Sequence, residues 1–411
     1  MTTPLPDRAD VVIVGAGPAG TALAAALARN AIETLVLEQT PVWRWRAGGV
    51  FASPAAVTAL ADAGLDQAVI DRVARPIPAM RLETPAGVTV RLTYGSDVGG
   101  PPAVGFDRSA LDPALEALAT AAGATVRRGV TVTAVELGQR RGPVVHVRTD
   151  DGPSTIGSRL VIGADGAASI VARAAGVARP SRLPVRVGLT YHTVDDRPVD
   201  LAADARLVVF HDGYIGIAPV PRGRVNVGIV LGPSWRAQLA RDGAVATAEA
   251  VQASIPVAPD DPSRVAFASR TDRVVGSWPI GGRTTRCAGP DWLLVGDAVG
   301  FLDPFTGEGI HRALVSAGLA GAAIVAELRG GPSRHRALRA YERGMRRRFA
   351  TKDVVSWLVQ SFLARPWLFE YTARRLAQRP DVRATMGLVI GDLLPARRGL
   401  DPRFLAALLA P

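Results

Sequence analysis

Six residues constrain this chain more than any others: Gly15-Ala16-Gly17-Pro18-Ala19-Gly20. They follow a β-branched run, Val11–Val14, and precede an alanine-rich run, Thr21–Arg29. The first reads as a buried strand and the second as a helix. A G-x-G-x-x-G turn between them is built to take a phosphate-bearing ligand. Gly15 permits the tight turn, Gly17 lets the backbone approach a pyrophosphate, and Gly20 allows close helix packing. Pro18 and Ala19 complete the cofactor-binding turn, and the free N–H groups of the helix N-terminus face the anion. The next strand, Glu33–Leu37, leads to Glu38, 18 residues past Gly20. An acid there accepts ribose hydroxyls and disfavours a 2′-phosphate. These residues predict a dinucleotide and leave NAD and FAD open. They also explain the apolar run Val11–Ala28, which has the look of a membrane span but carries a nucleotide turn.

Two distant segments repeat the strand-then-turn pattern. Leu160–Ile162 ends in Gly163-Ala164-Asp165-Gly166, and Trp292–Val295 ends in Gly296-Asp297-Ala298-Val299-Gly300. The second continues through Asp303-Pro304-Phe305-Thr306-Gly307-Glu308-Gly309-Ile310 into a helical run, Ala313–Leu328. Ligands of open α/β sheets lie beyond the carboxyl ends of the strands. Asp297 is placed there to accept from ribityl hydroxyls. Pro304 to Ile310, Gly307 and Gly309 among them, would bring backbone N–H groups and a helix N-terminus to the pyrimidine edge of a flavin, which becomes negative on reduction.

GAGPAG at 15–20, the Asp-Gly pair at 165–166 and GDAVGFLDPFTGEGI at 296–310 together resemble the three FAD motifs of the flavoprotein superfamily of aromatic hydroxylases, flavin-dependent halogenases and geranylgeranyl reductases. The resemblance covers roughly residues 8–340. It implies an α/β fold in three parts: a Rossmann-like FAD-binding domain from residues 1–70, 96–179 and 286–340; a sheet-rich substrate domain from 71–95 and 180–285; and a C-terminal helical tail, 341–411. It assigns Arg108, at the start of a long helix, to FAD, and Arg46 is read as a cofactor contact. TGEGI at 306–310 looks most like the reductase branch, and the segment Gly213–Pro219 resembles the reductase and halogenase branches. Ala47 stands where many family reductases carry a cysteine before two glycines, and Cys287 is remote in sequence.

The middle of the chain reads as strands: a hairpin from Ile77–Thr84 and Val88–Tyr94, then Val185–Val194, Arg206–His211, Tyr214–Val220, Arg224–Leu231 and Arg264–Arg270, interrupted by a helix, Gln238–Ala253. Tyr191, Phe210, Tyr214, Trp278 and Phe305 are the candidate pocket residues between the domains. No histidine spacing suggests a metal, and no catalytic acid or base is assigned. The single cysteine excludes an intramolecular disulfide and multi-cysteine clusters.

The net charge of +11 suggests an anionic partner, and no nucleic-acid module accompanies it. Residues 329–353 hold nine basic residues against Glu342 and Asp353, and apolar and aromatic groups follow from Trp357 to Phe369. Residues 341–379 therefore read as basic amphipathic helices broken near Pro366: first a tail packed on the body with a solvated charged face, and alternatively a surface suited to peripheral contact with a membrane or an anionic substrate-bearing partner. No signal peptide is seen, and a cytoplasmic location is the expectation.

The resemblance implies an FAD-dependent oxidoreductase fed transiently by NAD(P)H, since no second complete G-x-G-x-x-G follows. The favoured expectation is a monooxygenase that hydroxylates or epoxidises a hydrophobic or aromatic small molecule through a flavin C4a-hydroperoxide. Reduction of an isoprenoid or other alkene is the alternative, and a non-catalytic flavin-binding protein is the third.

Overall fold

The structure, a computed structural model, describes residues 4–45, 48, 50–195, 203–255, 269–331 and 333–409. Its nucleotide lobe is built on parallel strands in the order Thr125–Arg128, Thr34–Glu38, Arg8–Val14, Gly152–Gly163 and Trp292–Leu294. The strand Gly152–Gly163 serves two purposes. Its first half forms an antiparallel meander with Val144–Thr149 and Thr131–Glu136; its second half enters the parallel layer. The strand Arg8–Val14 is buried on both faces, which is why it reads as an unbroken apolar run.

Helix α1 (Pro18–Ala28) starts at Pro18, three residues earlier than the alanine-rich run suggests. Proline is tolerated at a first helical position because its missing N–H would have no partner there. Leu23 and Leu27 are fully buried, and α1 is enclosed between the sheet and two other helices. Those are α4, which runs from Arg108 to Ala121, and a later one. Shorter helices α2 (Ala55–Asp62), α3 (Gln67–Val73) and α5 (Ile170–Ala174) complete the lobe's N-terminal part.

The inserted domain is a sheet in the order Val275–Ile280, Arg186–Val194, Arg224–Leu231, Gly213–Val220, Ala205–Phe210, Met80–Glu83 and Thr89–Leu92. All neighbours are antiparallel except Ala205–Phe210 with Met80–Glu83. One face packs beneath α6 (Arg236–Ala253), with Tyr191, Ile215, Val227 and Val251 at its core. The other face carries Leu207, Tyr214, Ala218 and Val230 and looks toward the C-terminal helices. The strand Ala74–Ile77 pairs with Ala103–Phe106 in a small separate sheet, so residues 74–77 hydrogen-bond outside the large sheet. The expected strand at 264–270 lies mostly outside the described residues, and the edge position is taken by Val275–Ile280.

The chain then returns to the nucleotide lobe through α7 (Gly309–Leu328). By length and composition α7 is, among the described residues, the one helix apolar enough to cross a membrane. It packs against α1, α2 and α8 (Arg334–Leu363), and this enclosure accounts for its apolar character. A methyl at Gly321 would already touch Ala26 at 3.3 Å, so small residues set the α1–α7 distance. Helix α8 is continuous across residues 340 and 341. It ends before α9 (Pro366–Gln378), where the break near Pro366 is read from sequence, and α10 (Pro380–Ile390) and α11 (Pro402–Leu409) follow. Glu370 of α9 accepts from Thr84 Oγ1 and Ala86 N, both at 2.8 Å, which pins the tail to the hairpin of the inserted sheet.

Candidate active site

The glycine turn shows a distinct physical reason for each glycine. Gly15 has φ +105°, and a methyl there would stand 2.5 Å from the Ala164 carbonyl oxygen. A methyl at Gly20 would overlap the Gly15 carbonyl, whereas one at Gly17 would meet nothing within 4 Å. The open side of the turn is therefore at Gly17, where α1 begins with no side-chain cap and its first N–H groups point into that space. Glu38 closes one flank. Its Oε2 accepts from Ala16 N at 3.1 Å, and its Oε1 accepts from Thr40 N at 3.0 Å and Thr40 Oγ1 at 2.7 Å.

Asp165 and Asp297 sit after adjacent parallel strands. Asp165 Oδ2 accepts from Ile170 N at 2.6 Å, while Oδ1 is buried without a hydrogen-bond partner among the described residues. Burial pushes its carboxyl above the ordinary value. Asp297 is more exceptional. Burial pushes it up to about 6, only partly offset by the charges of Arg312 and Arg108. No described residue hydrogen-bonds its carboxylate. Arg108 is fixed by Asp112 at 2.7 Å and donates to the Gly48 carbonyl at 3.0 Å. Arg312, on α7, is clamped by Asp353 of α8 at 2.5 Å. Sequence reasoning missed Arg312, which lies two residues past the recognised motif.

Past Gly296 the chain makes the loop expected from Pro304 to Ile310. Pro304 starts a single 3-10 turn, Gly307 closes it at φ +67°, and Gly309 and Ile310 open α7. A methyl on Gly307 would press 2.6 Å from the Phe51 ring, and Gly309 has open space. Asp303 anchors the loop to both other parts of the molecule. It accepts from Phe305 N at 3.0 Å and from Tyr214 Oη at 2.5 Å, and it pairs with Arg186 at 2.8 Å. Arg186 also donates to Gln360 of α8 at 2.7 Å. Burial first, and then Asp303, push the Tyr214 hydroxyl well above its ordinary pKa, so it holds its proton.

Of the expected pocket residues, Tyr214 and Phe305 are brought together, edge to face at 5.2 Å. Tyr191 is not. It is fully buried on the opposite sheet face, its hydroxyl bonded to Gln252 of α6. Phe210 leaves the group too, packing on Trp235 at 5.6 Å. Trp278 stands 70% exposed on the edge strand. For Tyr191 and Phe210 the cause is strand alternation: one residue of register moves a side chain to the other face. Arg46 and Ala47 lie outside the described residues. Cys287 is buried in the nucleotide core, which pushes its thiol up to about 12, and it takes no part in this loop.

These features fit FAD. The open N-terminus of α1 would take the pyrophosphate, Glu38 the adenosine ribose, Asp297 the ribityl chain and the loop amides the flavin edge. The Asp165 Oδ1 and the Asp297 carboxylate are acceptors for which no described residue supplies a donor.

Comparison with known proteins agrees. The family model described as FAD binding domain matches residues 8–357. A menaquinone reductase of Mycobacterium tuberculosis is 32% identical over 343 residues, 76% of this chain and 76% of that protein. Digeranylgeranylglycerophospholipid reductase 2 of Methanopyrus kandleri is 29% identical over 329 residues, 76% of each. Among solved structures, a flavoprotein/dehydrogenase from Cytophaga hutchinsonii superposes with a TM-score of 0.79 at 20% identity, covering 96% of this chain and 95% of that one. PqsL of Pseudomonas aeruginosa superposes with a TM-score of 0.72 at 23% identity, covering 88% and 98%. These structures share the fold. The chain belongs to the FAD-binding-domain family, with an aromatic-hydroxylase-like fold, and is an FAD-dependent oxidoreductase.

Proposed function

We propose that this enzyme reduces a carbon–carbon double bond in a polyprenyl chain carried by a lipid or quinone. This reverses the order of preference given by the sequence, in which Ala47 in place of a cysteine set oxygenation first although the loop motif favoured reduction. The observation that carries it is one continuous apolar cluster. It runs from Phe51 and Phe305 at the loop, past Tyr94 and Tyr214, to Phe362, Met386, Phe404 and Leu408 of the C-terminal helices. There it borders a small cavity of ≈ 30 Å³ lined by apolar side chains and Gly399. A hydrocarbon chain laid against such a continuous apolar surface suits it better than a compact polar ring does. The two relatives compared above support the reading, because the substrates in both names carry long prenyl chains.

Bound FAD, reduced by NAD(P)H, would supply the hydride. The chain's own residues do the rest. Phe305 and Tyr214 form an apolar wall that excludes water, and the Asp303–Arg186–Gln360 bonds hold that wall against α8. Tyr214 Oη stays protonated in this wall, its hydrogen held by Asp303. A lipid-borne substrate also suits peripheral membrane contact through the tail, where Trp367 is 71% exposed beside Arg365.

Anaerobic turnover tests the reading. With reduced nicotinamide, FAD and a geranylgeranyl lipid or menaquinone, the product should gain two hydrogens without oxygen. Product that forms only when oxygen gas is admitted, and that carries one of its atoms, would establish the monooxygenase instead.

A further inference from the structure

Of the 48 basic residues, all but Lys352 are arginines. That one lysine is also among the most buried charges of the chain, with its side chain 4% exposed on α8. Its Nζ donates to the carbonyls of Val389 at 2.7 Å and Ile390 at 3.0 Å, in the last turn of α10. A helix C-terminus is the negative end of the dipole and attracts a cation. The same Nζ stands 3.0 Å from Asp392 Oδ1 and 3.5 Å from Glu308 Oε1.

Each carboxylate has a second attachment. Asp392 Oδ2 accepts from Ser53 Oγ at 3.2 Å and pairs with His311 Nδ1 at 3.2 Å. Arg348 Nη2 donates to the other ring nitrogen at 3.2 Å, which leaves Nδ1 as the donor to Asp392. Asp392 has φ +61°, a left-handed conformation that a non-glycine residue keeps only where its surroundings hold it. Glu308 belongs to the loop at the proposed flavin edge and also accepts from Ser356 Oγ at 3.4 Å. Burial raises the Glu308 carboxyl, and the Lys352 charge opposes that rise. One ammonium thus joins α8, the end of α10 and the loop Thr306–Gly309. Four oxygens around one point suit a compact ammonium with three donors better than a planar guanidinium.

We propose that Lys352 is a positioning residue of the flavin site: through Glu308 it locks the loop to the C-terminal helices, so that FAD binding and the seating of α10 form one coupled equilibrium. The proposal rests on the FAD assignment and is independent of whether the enzyme reduces or oxygenates. Coupling of this kind is reciprocal, so each event strengthens the other.

Hydrogen exchange on the wild-type chain, with FAD and after deflavination, reads one side of it. Amides of residues 386–392 should exchange at least tenfold more slowly with FAD, and equal rates overturn the proposal. Titration with FAD reads the other side. K352M should weaken binding at least tenfold, and E308Q added to K352M should cost less than twofold further. The absorption band of flavin still bound to K352M should move toward that of free FAD. A lysine that only staples helices would lower the melting temperature with and without FAD alike. It would leave the dissociation constant within twofold, the band unmoved and the two substitutions additive, and any one of these three results overturns the proposal. If K352M does not fold, the wild-type exchange experiment decides alone.

Discussion

The two ends of the site treat buried charge in opposite ways. At the nucleotide end, Asp165 Oδ1 is buried and Asp297 is half-buried, and no described residue gives either a donor. At the C-terminal end, Lys352, Glu308, Asp392 and His311 answer one another across three elements. A buried polar group without a partner costs stability, and a chain keeps it where a ligand provides the partner. A paired cluster holds elements in register. The first end is a binding surface and the second is a fastening.

Substitutions can break this contrast. The largest effect is expected within the glycine turn itself. G20A forces a methyl into the Gly15 carbonyl and should destabilise the protein by about 3 kcal/mol. G17A adds a methyl into open space and should leave thermal unfolding of the cofactor-free protein unchanged while FAD affinity falls at least tenfold. Equal unfolding temperatures for the two variants would contradict the assignment of roles.

Asp297 and Asp392 should then move stability in opposite directions. Asp297 titrates near 6 when folded, above its ordinary 3.8, so its favourable contribution is complete below about pH 4 and is lost as pH rises through 6. D297N removes that loss. Above pH 6 the cofactor-free variant should be more stable than wild type, by about 3 kcal/mol at most, and yet bind FAD more weakly. Asp392 behaves oppositely. Burial works against its charge, but the hydrogen bond from His311 and the charge of Lys352 prevail and hold it at about 2. Its contribution is complete above about pH 4 and disappears as pH falls through 2. D392N should therefore destabilise the protein at neutral pH, by about 2 kcal/mol. Denaturant titrations of both variants from pH 3 to 8 check the two signs. Destabilisation by both, or by neither, would erase the distinction between binding surface and fastening.

The sequence shows these ends unequally. The nucleotide end is a string of consecutive residues, Gly15 to Gly20 and Gly296 to Ile310, in which each strand, turn and helix start follows directly from local chemistry. The fastening is assembled from Ser53, Glu308, His311, Lys352 and Asp392, and no local pattern relates them. Its one sequence signal is the solitary lysine, set in a basic stretch that reads as a solvated face. The substrate wall was obscured for another reason. Arg186–Val194 and Gly213–Val220 are buried on both faces, so the polar–apolar alternation that would separate Tyr191 from Tyr214 is missing. Both tyrosines look alike until α6 is seen to cover one of them.

The solitary lysine has a practical consequence. Acylating reagents and amine crosslinkers find one side-chain amine in this sequence, and the folded protein shields it beneath α10. Its labelling rate therefore measures how often the C-terminal helices lift away, and a single peptide mass follows that breathing without any engineered probe.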